Sequence, residues 1–399
     1  MARTPGSGRF CREYDGCSVS RNRRLYRRYG IRRLAVSVCL YSGDRRVRCG
    51  NVQLVLYGDD LGIALQHGLR SVWGKRSPDG WGGDRLSAQQ ADLSVIIVNW
   101  NTRELLVQCL QSVEETVRDA SFEVWVVDNG SSDGSVLAVR EQFPYVHVIA
   151  NSENVGFVRA NNQALDRCRG RYALLLNSDA QALPGSLDNI IKFMDEHPGA
   201  GIAGVQLVNP DGTFQASYTP FPTLWREFLI LSGLGRWLIR PTFPSCGPET
   251  EKGNQRIKGY AEGACLIARR EAVNQIGGLD ERIFMYAEEV DWCYRFHRSG
   301  WEIWYLPQAP IIHYGGQSSK KRQGRMEAEL YRSRVYFFRK HYGKAAAFCL
   351  KTLIYAMTLA KILLHGLLRF ATGGRSGRTV TSWRELRLAL TGADSAPLN

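Results

Sequence analysis

The sequence predicts an α/β fold: a mostly parallel sheet flanked by helices, with a smaller cap region. Three observations predict it. From Leu93 onward, short apolar runs rich in β-branched residues alternate with helical patterns. A β-α-β series of this kind feeds right-handed crossovers between parallel strands. Three of the runs are followed at once by polar residues, Asn99, Asp128 and Asp179. Ligands of such sheets sit beyond the carboxyl ends of the strands, so these side chains should converge on one crevice.

Each element can be justified in order. Residues 93–98, LSVIIV, are almost purely apolar and read as a strand buried on both faces. Residues 103–117 carry a helical pattern, 122–127 form a second strand ending in DNGSSDGS, and 134–143 form a helix. VHVIANSENVGFVRANNQAL reads as a short strand, a glycine loop and a helix start. Residues 172–176 form a strand ending in NSDA, and 183–196 a helix. After residue 200 the pattern loosens into short strands and turns, as expected of an α+β cap.

Three regions follow. Residues 1–92 are expected to be a poorly structured basic extension and linker, with weak strand-like pieces at 34–41 and 52–57 and a linker at 74–85. Residues 93–344 form the main folded domain, with a first half at 93–200 and a second at 201–344. Residues 345–399 form an apolar helix and tail. The helix candidate at 345–370 carries Lys351, Lys361 and His365, so it is expected to lie in a membrane interface with its basic groups snorkelling. No uninterrupted apolar run reaches the roughly 20 residues of a membrane span. Residues 220–241 are also unusually aromatic and apolar for a loop.

The net charge of +14 invites a nucleic-acid reading, but residues 1–50 alone contribute +10, from 13 Arg, no Lys and 3 acids. The chain is a basic tail on a near-neutral body, and no specific nucleic-acid partner is expected. The ten cysteines include no CxxC pair, which argues against a zinc ribbon, and the length is wrong for a disulfide scaffold. Cys109, Cys265 and Cys293 sit in apolar runs and read as small buried hydrophobes, which suits a reducing cytosol. No secretory signal is visible.

The polar residues carry chemistry, each with a plainer alternative. Asp128 can accept hydrogen bonds from a base or a ribose; the alternative is a helix cap, which Ser131 and Asp133 could supply alone. Asp179 can hold a divalent cation under a diphosphate, again with a cap as the alternative. Glu288, Glu289 and Asp291 fall within four residues beside Met285 and Trp292. Acids there are costly unless they act as ligands, pairs or a base; the alternative is a solvated helix start. His313 ends a strand in the same way and could complete a metal site.

SVIIVNWN, WVVDNGSSDGS, NVGFVRANNQAL, LLLNSDA, EGACLIARREA, GGLDERIFMYAEEVDWCYRFHRSGW and HYGGQSS occur in that order. Together they resemble the family-2 inverting glycosyltransferases of GT-A fold, in the branch of bacterial rhamnosyltransferases. The resemblance covers about residues 93–345. It implies a GT-A-type Rossmann-like sheet and transfer of a sugar, rhamnose favoured, from a nucleotide diphosphate donor to a lipid-linked or polysaccharide acceptor. It sets Val98, Asn99, Trp100, Asp128, Arg159, Asn162, Asn177 and Ser178 at the nucleotide sugar, with Trp100 stacking on the base. It implies magnesium or manganese at Asp179 and His313, and Glu289 as the catalytic base with Glu288 and Asp291 able to share the role. Two departures stand out: the first acid of the DxD motif is Asn177, and the base is Glu rather than Asp. The site would be cytoplasmic, peripheral on the inner face of the cell membrane. A sugar nucleotidyltransferase would carry a glycine-rich loop after the first strand, and residues 99–105 have no glycine. A nucleotide-sugar-binding protein without activity would not need the acid cluster.

Overall fold

A computed structural model of the chain describes residues 31–42, 45–57, 90–247, 253–315 and 323–371. The chain divides into two compact units. In the first, β1 (Ile31–Ser42) and β2 (Arg45–Tyr57) pair as an antiparallel hairpin, longer than the strand-like pieces read at 34–41 and 52–57. The linker read at 74–85 lies outside the described residues. The second unit begins at Ala88.

The second unit is built on one sheet. Its elements run β3 (Leu93–Asn99), α1 (Arg103–Thr116), β4 (Phe122–Asp128), α2 (Ser135–Gln142), β5 (His147–Ala150), α3 (Phe157–Leu165), β6 (Tyr172–Asn177), β7 (Ala180–Ala182), α4 (Ser186–Glu196) and β8 (Ala200–Val208). Then come β9 (Phe214–Gln215), β10 (Tyr218–Pro220), α5 (Leu224–Ser232), α6 (Leu234–Leu238), β11 (Gln255–Arg256), β12 (Gly259–Ala261), β13 (Cys265–Arg269), α7 (Arg270–Ile276), α8 (Glu288–Arg298), β14 (Glu302–His313), α9 (Gln323–His341) and α10 (Gly343–Ala371). The strand order is β11-β14-β8-β13-β6-β3-β4-β5. β6, β3, β4 and β5 are parallel, as expected. β13 runs antiparallel between β6 and β8, and β14 is parallel to β8.

Successive residues of a strand face opposite sides, and β3 is covered on both. Val95 and Ile97 pack with Leu106, Leu110 and Met194 on one face. Ile96 packs with Val158, Trp292 and Phe296 on the other. The fold is therefore helices on both sides of a central mixed sheet.

The region after residue 200 is more regular than the sequence pattern suggests. β8 and β14 extend the main sheet, so the cap is reduced to β10, β12, α5 and α6. β8, AGIAGVQLV, is buried throughout but rich in Ala and Gly, which are weak strand formers. The small residues serve packing: a Cβ on Gly204 would overlap Ala261 of β12.

Helix α10 is continuous through Lys351 and Lys361. Gly343–Leu364 is long and apolar enough to cross a membrane, with a mean hydropathy of 1.7, although the interrupted run in the sequence suggested otherwise. Its inner face, Ala347, Leu350 and Ile354, packs with Leu231, Ala287, Val290 and Phe338. Phe348, Leu359, Leu363 and Leu364 are exposed.

Candidate active site

The sheet topology decides which side chains meet. Because β8 and β6 are each antiparallel to β13, they run the same way, and β14 follows β8. The carboxyl ends of β3, β4, β6 and β14 therefore share one edge. Asn99, Asp128, Asn177 and His313 all stand on it, with Val98 and Trp100 half-buried beside them.

The polar side chains on this edge first organise their own loops. The fully buried Asn99 donates through Nδ2 to Asp128 Oδ1 at 2.8 Å and accepts from Thr102 Oγ1 at 2.7 Å. The second oxygen of Asp128 accepts from the Ser131 N–H at 2.8 Å. The Thr102 and Ser178 hydroxyls are 2.9 Å apart, so the loop after β3 is tied to the loop after β6. A carboxylate oxygen has a second lone pair, so Asp128 keeps acceptor capacity, but it also does the turn-forming work that the plainer reading gave it.

Asp179 and His313 are brought together by strand pairing. β7 pairs with β14 so that His313 lies opposite Ala180, and the Tyr314 N–H donates to the Asp179 carbonyl at 3.0 Å. His313 Nε2 then lies 3.4 Å from Asp179 Oδ1, and Asn177 Nδ2 is 3.5 Å from the same nitrogen. On the other side of the ring, Nδ1 is 2.9 Å from Gln215 Oε1, and Gln215 Nε2 donates to Asn209 Oδ1 at 3.2 Å. That second bond turns the Gln215 oxygen toward the histidine, which places the ring proton on Nδ1 and the lone pair on Nε2. In neutral His313 two acceptor atoms thus face each other at 3.4 Å, an arrangement that suits a shared cation. No group of three or more His, Cys, Asp or Glu side chains able to hold a metal occurs among the described residues. A cation on Asp179 and His313 would take its remaining ligands from a diphosphate and water, the habit of magnesium.

The acids stand on a strained turn. Tyr286 and Ala287 both have positive φ, 65° and 66°, immediately before α8. Neither is glycine, and such residues cost on the order of 1–3 kcal/mol each. The turn delivers Glu288 and Glu289 at the start of the helix. Glu289 sits beside the β12–β13 connection: a Cβ on Gly263 would stand 3.7 Å from Glu289 Cβ. The next residue, Ala264, accepts from the Asn177 N–H at 2.9 Å. One short connection thus touches both the β6 end and the acid turn.

Electrostatics single out the same place. Burial, then the neighbouring Glu288 and Glu262, push Glu289 well above the ordinary carboxylate range. Burial raises Glu288 to about 7, and its Oε2 is buried without a hydrogen-bond partner. Burial also raises Glu262, whose Oε1 accepts from Thr219 Oγ1 at 3.4 Å. Arg334 counteracts both Glu262 and Glu289, but its Nη1 is held by Glu227 at 2.9 Å.

Three residues grouped with the site by sequence face elsewhere. The fully buried Asp291 accepts from Arg295 at 2.8 Å, Lys340 at 2.5 Å and His341 at 2.7 Å. Burial raises its pKa, but these partners outweigh it and hold the carboxyl below its usual range. Asp291 thus anchors α8 to α9. Asn162 bonds the Leu279 backbone in both directions at 2.9 Å, and Arg159 is an exposed partner of Glu281 at 3.7 Å. Both tie α3 to the segment leading into α8. Sequence reasoning missed Glu262, although it opens the EGACLIARREA motif, and Gln215, which no spacing rule links to His313.

A mixed sheet flanked by helices, with polar loops at one edge and a buried acid turn beside it, is an α/β architecture of the GT-A type. Residues 94–276 match the family model of glycosyl transferase family 2. The N-acetylglucosaminyl-diphospho-decaprenol L-rhamnosyltransferase of Mycobacterium tuberculosis is 29% identical over 238 residues, 57% of this chain and 77% of that one. A low-salt glycan biosynthesis hexosyltransferase of Haloferax volcanii is 28% identical over 229 residues, 56% of this chain and 67% of that one. A solved mannosyltransferase from Pyrobaculum calidifontis, in complex with GDP-Man and Mn2+, is 18% identical, covers 77% of this chain and 86% of that one, and has a TM-score of 0.45.

Proposed function

We propose that the protein transfers a sugar, rhamnose favoured, from a nucleotide diphosphate donor to a hydroxyl of a lipid-linked or polysaccharide acceptor, with inversion. The observation that carries this reading is the link between two halves of one reaction. The connection Gly263–Ala264 touches Glu289 on one side and the Asn177 end of β6 on the other. A base and a diphosphate-binding edge set on opposite sides of one sugar are what inversion by single displacement requires.

In this reading the donor base lies over Val98, Asn99 and Trp100, with Asp128 at the base or ribose. Asn177 and Ser178 face the diphosphate. A divalent cation held by Asp179 and His313 would supply positive charge for the leaving diphosphate. Glu289 accepts the proton of the acceptor hydroxyl as attack proceeds. Glu288 and Glu262 keep that carboxylate basic by repelling its charge, so the proton has a ready acceptor once the site is ionised. The exposed apolar side chains of α10 suit peripheral contact with the cytoplasmic face of a membrane, where a lipid-linked acceptor would be met.

The nucleotidyltransferase alternative has less support. Residues 99–102 carry no glycine, and the side chains of Asn99 and Thr102 are spent on Asp128 and Ser178. The test is release of nucleoside diphosphate from a panel of nucleotide sugars, with and without a lipid diphosphate-linked N-acetylglucosamine, and the anomeric configuration of the product by NMR. Release of inorganic diphosphate from a nucleoside triphosphate and a sugar phosphate, with no sugar transfer, would replace this reading by the alternative.

A further inference from the structure

We propose that the cleft beside α5 and α6 binds a diphosphate carried on an apolar chain and so seats the acceptor. This rests on the glycosyl-transfer reading above and adds the acceptor's chemical class. The cleft holds about 270 Å³ and is lined by Tyr218, Arg226, Leu229, Arg240, Phe243 and Ser245 among others. It offers two guanidinium groups over an apolar and aromatic floor, and its lining includes no carboxylate. Guanidinium is the side chain best matched to phosphate oxygens.

The rim selects the rest of the ligand. Trp225 and Ile239 line the cleft and are 67% and 50% exposed. Large apolar side chains left open at the mouth of a cleft suit an apolar ligand. A polysaccharide hydroxyl needs no such apolar ridge, and a free nucleotide would leave it wet. A diphosphate head with an isoprenoid tail uses both parts.

The cleft also backs onto the acids. Ser245 lines it, and its hydroxyl is 2.7 Å from that of Thr219, which donates to Glu262. Glu262 acts electrostatically on Glu289. The hydrogen-bonded series Ser245, Thr219, Glu262 thus links the wall of the cleft to the acid turn.

The test is equilibrium binding to the full chain, followed by tryptophan fluorescence, with farnesyl diphosphate as probe and inorganic diphosphate, farnesol and phosphatidylglycerol vesicles as separate arms. Farnesyl diphosphate should bind saturably, at least about tenfold more tightly than inorganic diphosphate or farnesol. The double substitution R226Q/R240Q should weaken it by about tenfold or more. Trp225→Ala, at an exposed lining position, should weaken farnesyl diphosphate and leave inorganic diphosphate unchanged. Equal binding of inorganic diphosphate and the lipid would overturn the proposal. So would unchanged farnesyl diphosphate affinity in both variants, or loss of vesicle binding alone in R226Q/R240Q. The measurement uses no donor, so a failure of the catalytic reading would show separately, as absent sugar-nucleotide turnover with lipid diphosphate binding intact.

Discussion

Gln215 Oε1 lies 2.9 Å from His313 Nδ1 and leaves His313 Nε2 facing Asp179. Gln215 orients the His313 ring, and partners that orient a metal-bound histidine are typically worth about 10–100-fold in metal affinity. Gln215→Leu is expected to raise the free magnesium or manganese needed for half-maximal turnover by that factor, with little change in saturated rate. Asp179→Ala should abolish turnover outright. Titrating activity against free cation checks both; full activity of the wild type in excess chelator removes the cation from the reaction.

Glu289→Gln keeps shape but cannot accept a proton. Transfer should fall by about 10²–10⁴-fold while donor binding survives. Single-turnover transfer and donor affinity, measured on the same preparation, separate the two effects.

The raised carboxylates set a pH dependence whose sign can be worked out. The proposed base role needs Glu289 ionised, and burial with Glu288 and Glu262 holds it protonated above the ordinary carboxylate range. The acid limb of the rate profile should therefore lie above the usual carboxylate pH. Glu288→Gln removes one repelling charge and should move that limb to lower pH. A limb that stays in place in this variant uncouples the pair.

The same shift acts on stability. Glu288 titrates at about 7 when folded, against an ordinary value of 4.5, so the folded state holds its proton more tightly. Stability should be greatest below that ordinary value and decline as pH rises toward 7. Glu288→Gln should then stabilise the protein at pH 8, by up to about 3 kcal/mol, and not at pH 4. Denaturant unfolding at the two pH values decides it.

Asp291→Ala should cost stability rather than chemistry. It strips a fully buried carboxylate from Arg295, Lys340 and His341, and breaking such a cluster typically costs about 3–5 kcal/mol. Tm should drop sharply, unlike in Glu289→Gln; an Asp291→Ala protein with wild-type Tm and no activity would return Asp291 to the reaction.

Much of the fold was legible because its signals are local. The run 93–98 is apolar throughout since both faces of β3 are covered, and the edge placement of Asn99, Asp128 and Asp179 follows from strand direction alone. β8 was obscure because its glycines and alanines answer to Ala261, a neighbour far along the chain. Within the acid cluster, spacing could not tell Glu289 from Asp291. Both lie in the first turn of α8, and only the position of Lys340 and His341 on α9 reveals which one is neutralised. The partners that hold Arg159 and Asn162, Glu281 and Leu279, were not legible because they are remote in sequence.

The ion pairs of α9 bear on what can be cut from this chain and still be carried elsewhere. The family match ends at residue 276, yet Glu227 inside it is partnered by Arg334 outside it. A fragment that stopped at the end of the match, or at the end of the sheet in β14, would keep Glu227 and lose its counter-ion. Retaining α8 without α9 would likewise leave Asp291 with Arg295 alone. The portable catalytic piece is therefore bounded by charge balance rather than by strand count, and its C-terminal limit falls no earlier than His341.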